Sequence, residues 1–124
     1  MSKVTRFEEL RRWQAARTLV KDVCLACEAG ELAKDFETRA QFKKAALGSM
    51  NNIADGFGRY STKDFFIRFL DFGQSSAIEL QSMLYVLEDV GYLAPEQIVS
   101  LRLKADETKN LTLGLINYLR KSDK

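Results

Sequence analysis

Along residues 41–59, QFKKAALGSMNNIADGFGR, apolar and small side chains recur every three or four positions, the period of a helix and not of a strand. Phe42, Ala45, Ala46, Ser49, Met50, Ile53 and Phe57 fall on one side of that helix. Wound at about 100° per residue, Leu47 and Ala54 widen this side to an arc of roughly 200°. A single bundle seam needs less. Part of the arc is therefore expected to face other helices of the same chain, and its edge, Leu47 with Met50 and Ala54, to face another subunit.

The same period continues on both sides, and four helices account for nearly the whole chain. The first is expected over 6–29. Thr5 followed three residues later by Glu8 has the spacing of a capping box, Leu10, Trp13, Val20, Val23, Cys24 and Cys27 point inward, and Gly30 stops it. The second, 36–57, starts at Asp35 as N-cap and ends where Gly56 and Gly58 release the backbone. Ser61 and Asp64 repeat the capping spacing for the third, 62–90, whose inward stripe is Phe65, Phe69, Leu70, Ser76, Ala77, Leu80, Met83, Leu84, Leu87 and Val90. Pro95 suits the first turn of the fourth, 95–120. There Ile98, Leu101, Ala105, Thr108, Thr112, Leu115 and Leu119 keep a heptad spacing. No alternating strand pattern interrupts the series. Short connections between long helices predict an all-α, up-down-up-down antiparallel four-helix bundle.

A length of 124 residues with 46% apolar side chains suits one domain, 1–124, with a self-sufficient core. No apolar run approaches the roughly 18 residues of a membrane span. The polar opening MSKVTRFEELRRW lacks the apolar segment of a signal peptide. A soluble, cytoplasmic protein is expected. Two cysteines, Cys24 and Cys27, are too few for a disulfide scaffold.

Catalysis finds little footing. Without histidine the commonest general base is missing, together with Ser-His and Cys-His dyads and the Glu-x-x-His ligands of di-iron bundles. Cys24-x-x-Cys27 sits late in its helix, away from the N-terminal dipole that activates redox thiols. Asp64, Asp71 and Glu79 spread along a polar face. The Gly56-Phe57-Gly58 turn ends a helix, whereas a phosphate-binding fingerprint opens one. No enzymatic activity, metal or cofactor is expected.

Several residues carry a family resemblance. Phe7, Leu10, Trp13 and Gln14 match an opening Phe-x-x-Leu-x-x-Trp-Gln. Residues 41–59 match Gln-Leu-Arg-Arg-Ala-Ala-x-Ser-Ile-x-x-Asn-Ile-Ala-Glu-Gly-x-x-Arg, with Lys43 and Lys44 for the arginines and Asp55 for glutamate. Phe65, Phe69, Leu70, Gly73, Ser75, Ala77, Glu79, Leu84, Tyr85, Gly91 and Tyr92 match the third helix. The chain thus resembles the four-helix bundle family of 23S ribosomal-RNA intervening-sequence proteins, which includes the accessory variability proteins of diversity-generating retroelements. The resemblance implies a homopentameric ring with a central channel, no catalysis, and nucleic acid as the usual proposed partner. Lysine in place of arginine keeps the charge but loses the bidentate fork.

Net charge is +2, from 19 Lys and Arg against 17 Asp and Glu, less than a dedicated nucleic-acid protein carries. Its distribution is uneven: residues 61–92 hold two positive and five negative charges, while every other segment is basic. Basic faces of this kind serve RNA binding, subunit steering or solubility. Arg17 and Lys21, one turn apart, with Arg11 and Arg12 near the helix start, form a candidate phosphate-facing strip. Lys43 falls inside the apolar arc, either with its stem packed and its ammonium at the surface or lining a channel. Lys44 points elsewhere. Arg59 either caps the second helix or meets a phosphate. Asn51 and Asn52 either bond a neighbouring helix to fix register or contact RNA. Trp13, Phe36, Phe57 and Tyr92 are expected mostly in the core, with base stacking as the alternative.

These readings combine into a non-enzymatic oligomeric binding or scaffolding module whose partner is RNA or a ribonucleoprotein. The alternative is a protein-protein adaptor without nucleic-acid contact. Charging the arc's edge with Leu47→Glu should dissociate subunits and leave the helical circular dichroism signal intact; global unfolding would instead place Leu47 in the intramolecular core.

Overall fold

Four helices carry the chain: α1 (Arg11–Ala26), α2 (Phe36–Arg59), α3 (Lys63–Asp89) and α4 (Pro95–Lys121). The computed structural model describes residues 4–59 and 62–121, the side chain of Arg59 excepted. Among the described residues there is no strand, and no helix is long and apolar enough to cross a membrane.

The chain enters through a 3-10 turn, Phe7–Glu9, and Leu10 stays extended before α1 begins. The first helix is therefore shorter at both ends than the expected 6–29. Thr5 and Glu8 form no capping box, because Glu8 pairs with Arg6 at 3.5 Å and the Thr5 N–H donates to the Glu9 carboxylate at 3.1 Å. Burial of Leu10 holds the chain out of helical geometry at that point. Cys27 caps the other end, and Gly30 turns the chain at φ +67°.

Asp35 does cap α2. Its carboxylate accepts from the Thr38 N–H at 3.1 Å and the Thr38 hydroxyl at 2.9 Å, and also from the Tyr92 hydroxyl at 2.9 Å. The Thr38 backbone bond, followed by the Tyr92 bond, holds the Asp35 carboxyl below its ordinary pKa. One side chain thus ties the α1–α2 connection to the α3–α4 connection. The expected cap at Ser61 lies outside the described residues; Thr62 caps α3, its hydroxyl accepting from the Phe65 N–H at 3.2 Å. At the far end of α3 the Tyr92 N–H donates to the Leu87 carbonyl and the Gly91 N–H to the Glu88 carbonyl, with Gly91 at φ +74°. These are the two bonds of a Schellman cap, which needs a residue free to adopt positive φ.

Neighbouring helices touch in the cyclic order α1, α2, α3, α4 and back to α1. Two apolar clusters fill the interior. One gathers Leu19, Val23, Phe42, Leu80, Leu84 and Leu101, among others. The second holds Leu10, Ala16, Ile53, Phe66, Leu70 and Ile116. Ser49, Thr108 and Thr112 are buried as well. Their hydroxyls donate to the carbonyls of Ala46, Lys104 and Thr108 within their own helices, so burial leaves no donor unmet.

Several inward positions differ from the periodic reading. On α1, Ala16 and Leu19 are buried while Trp13, Val20 and Cys24 are only half-buried; small alanines carry little weight in a hydrophobic pattern, yet they mark where helices approach. On α3, Phe66 and Ile67 take the core, Phe65 and Phe69 lie on its flank, and Val90 is exposed because the helix has ended. On α4, Ile116 replaces Leu115, since a heptad drifts about 20° per repeat from a straight helix. Asn52 donates to the Gly48 carbonyl of its own helix at 2.9 Å, not to a neighbour, and Asn51 is exposed.

The α2–α3 contact is the closest. A methyl group at Gly56 would stand 2.5 Å from Cβ of Phe69, and one at Gly48 2.5 Å from Oγ of Ser76. A Cβ at Phe69 cannot rotate aside, so only glycine fits opposite it. At Gly114 an added methyl meets nothing within 4 Å. Gly56→Ala should therefore lower stability by about 1–3 kcal/mol through overpacking, and Gly114→Ala should raise it by about 0.5–1 kcal/mol through helix propensity. Urea unfolding midpoints read both. Equal stabilisation by the two substitutions would contradict the close approach.

Candidate nucleic-acid interface

The basic strip rests on α1, whose buried face of Ala16, Leu19, Val23 and Ala26 fixes which side chains turn outward. Arg11, Arg17 and Lys21 are exposed. With Gln14 and Thr18, Arg17 and Lys21 line a surface depression along the helix. The guanidinium of Arg17 sits 5.8 Å from the centre of the Trp13 ring, a cation–π distance. Phe7 meets the same ring edge-to-face at 5.1 Å. Trp13 is thus a half-buried pedestal under Arg17.

Arg12 does not join this strip. At about 100° per residue it falls on the core-facing side of α1, between Leu19 and Val23, whereas Arg11 keeps to the exposed side, about 120° from Arg17. Its Nε is enclosed without a hydrogen-bond partner. Burial first, then the neighbouring charge of Arg11, lowers its pKa.

On α2 the expectations divide. Lys43 is half-buried at the α1 side, near enough to Cys27 for its charge to act on the thiol; burial, the larger effect, still raises the Cys27 pKa. This is the packed-stem arrangement, with the ammonium at the seam between α1 and α2. Lys44 is exposed and stands about 100° further round, away from the seam. The side chain of Arg59 lies outside the described residues. Arg39, one turn before Lys43, acts on Cys27 as well. It donates to the Ala33 carbonyl at 3.2 Å and lies 5.3 Å from the Phe36 ring. Its i, i+4 spacing to Lys43 is the signal that would have placed it beside that residue.

Of the edge residues, Leu47 is 38% exposed. Met50 and Ala54 are half-buried, and Met50 packs against the cluster containing Ile53 and Phe66. Phe36, expected to seal the bundle, is 71% exposed, whereas Leu32 in the 3-10 turn Leu32–Lys34 is fully buried.

Pairing separates the cations. On α4, Lys104 bonds Asp22, Arg102 lies 3.8 Å from Glu88, Arg120 4.0 Å from Asp71, and Lys109 donates to Gln81 at 2.7 Å. Among the described residues, Arg11, Arg17, Lys21, Lys43 and Lys44 show no ion pair. Cys24 and Cys27 are free thiols. No group of three His, Cys, Asp or Glu side chains among the described residues is placed to hold a metal.

A half-buried guanidinium whose Nε finds no hydrogen-bond partner contributes little to stability. Arg12→Met should leave the melting temperature unchanged or raise it, and leave polyanion binding intact, as read by thermal denaturation and anisotropy titration. A loss of binding would place Arg12 among the contacts.

No individually curated protein matches the chain significantly. The family model described as 23S rRNA-intervening sequence protein matches residues 8–114, from the 3-10 turn into the second half of α4. The chain belongs to the 23S rRNA-intervening sequence protein family.

Proposed function

We propose that the protein is a non-enzymatic, cytoplasmic binding or scaffolding module that holds RNA or a ribonucleoprotein through the cations of α1 and of the α1–α2 seam. The observation carrying this reading is the pairing pattern: Arg102, Lys104, Lys109 and Arg120 of α4 have partners within the fold, while Arg11, Arg17 and Lys21 stand on the exposed side of α1 without one. Unpaired cations on a shared face release counterions when they meet phosphates, and that release drives binding. The family's name, which refers to an intervening sequence of 23S rRNA, supports the choice of RNA.

The proposal includes an up-down-up-down bundle assembled into a homopentameric ring. Facing positions support antiparallel neighbours, since Gly48 meets Ser76 and Gly56 meets Phe69, indices that run in opposite directions. Exposed Leu47, Ile78, Tyr85, Val99 and Leu103 supply apolar surface for subunit contact. The same side chains favour a second reading, a protein adaptor without nucleic-acid contact.

The double variant Arg17→Glu/Lys21→Glu tests the choice. Each phosphate contact is worth about tenfold in affinity at 50 mM salt, so RNA binding by anisotropy should fall by about two orders of magnitude with unchanged circular dichroism. Binding that survives would remove the strip, and salt-tolerant capture of a single protein would favour the adaptor.

A further inference from the structure

We infer that the α1 strip accepts a double-stranded phosphodiester backbone without regard to base sequence, and prefers it to an unpaired strand. The inference rests on the proposal that this face binds nucleic acid, and it concerns which form is held.

Proteins that hold single strands combine cations with aromatic faces on which bases stack. The strip has the cations without the faces. Its one aromatic, Trp13, is half-buried, met edge-on by Phe7 and approached by Arg17. The amides and hydroxyls that would read base edges are engaged as well. The Gln14 side-chain amide donates to the Glu8 carbonyl at 2.9 Å, and the Thr18 hydroxyl donates to the Gln14 carbonyl at 3.3 Å. The exposed aromatics Phe36, Phe72, Tyr85 and Tyr118 belong to α2, α3 and α4, not to α1. Phe36 is flanked in sequence by Asp35 and Glu37, and Tyr85 lies 4.6 Å beneath an Arg102 that is paired with Glu88.

What remains on the strip is charge. From Arg11 to Lys21 the helix extends about 15 Å, a length over which a duplex presents about nine phosphates and offers the denser target. The logarithm of affinity falls against the logarithm of salt with a slope of about −0.9 per contact for a duplex and −0.7 for a single strand. Four contacts, from Arg11, Arg17, Lys21 and Lys43, give slopes of about −3.6 and −2.8, and the difference amounts to about tenfold at 50 mM salt.

The test titrates the full-length protein, by anisotropy between 50 and 200 mM salt, against a 20-base-pair RNA duplex, the DNA duplex of the same sequence, the separated strands, and duplexes of an unrelated sequence. Duplexes should bind about tenfold tighter than strands at 50 mM salt with little dependence on sequence, and Arg17→Ala should lower the duplex slope by about one. Equal affinity for both duplexes assigns recognition to charge density alone, while a preference for the RNA duplex assigns it to A-form geometry; both keep the inference. Strands bound as tightly as duplexes, or binding confined to one sequence, would overturn it and leave the nucleic-acid reading standing. Absence of binding to every probe at 50 mM salt would overturn both.

Discussion

The approach of α2 to α3 at Gly48 and Gly56 decides what the rest of the molecule can do. Where Gly56 meets Cβ of Phe69, only a hydrogen fits between the helices, so one flank of α2 is committed to α3 and its apolar centre of Phe42, Ala45, Ala46 and Ile53 to the core. The opposite flank, with Lys43 and Leu47, is left to the α1 side. The wide arc is thus two surfaces in one helix. A small-residue flank packs inward by close contact, and a larger-residue flank reaches the seam and the solvent. Burial of that central stripe is the main favourable term, but the glycines set the rotation of α2 and hence which cations reach the surface together.

Charge follows the same division. The acidic residues Asp71 and Glu88 of α3, with Asp22 of α1, meet the cations of α4. Such surface pairs add little stability each, yet they remove those cations from the field that an approaching polyanion meets. On the outward face of α1 the residues beside Arg17 and Lys21 are Gln14 and Thr18, neutral side chains that leave the positive field uncancelled. A net charge of only +2 therefore understates the local potential.

Much of the architecture was legible because it depends on strong local rules. Gly30 and Gly91 end helices at positive φ, Asp35 caps α2, and the stripes of α2 and α4 keep their period with one drift at Ile116. What the sequence hid depends on competition between neighbours. Thr5 and Glu8 have the spacing of a cap but find other partners, Leu32 rather than Phe36 is buried ahead of α2, and alanines carry the α1 contact that larger side chains would suggest. In the candidate site, Arg17 and Lys21 were visible as one face. Arg12 was not separable from Arg11 by composition, only by rotation, and Arg39 was obscured by Asp35 and Glu37 shortly before it in sequence.

The central claim is that the unpaired cations of α1 and the α1–α2 seam hold a nucleic acid in the cell. Native mass spectrometry of the protein purified gently from its own cells, without nuclease, tests it most directly. The account predicts a mass above an integral multiple of the 14.1 kDa chain, with the excess removed by nuclease and the multiple near five. A bare monomer, unchanged by nuclease, would contradict it.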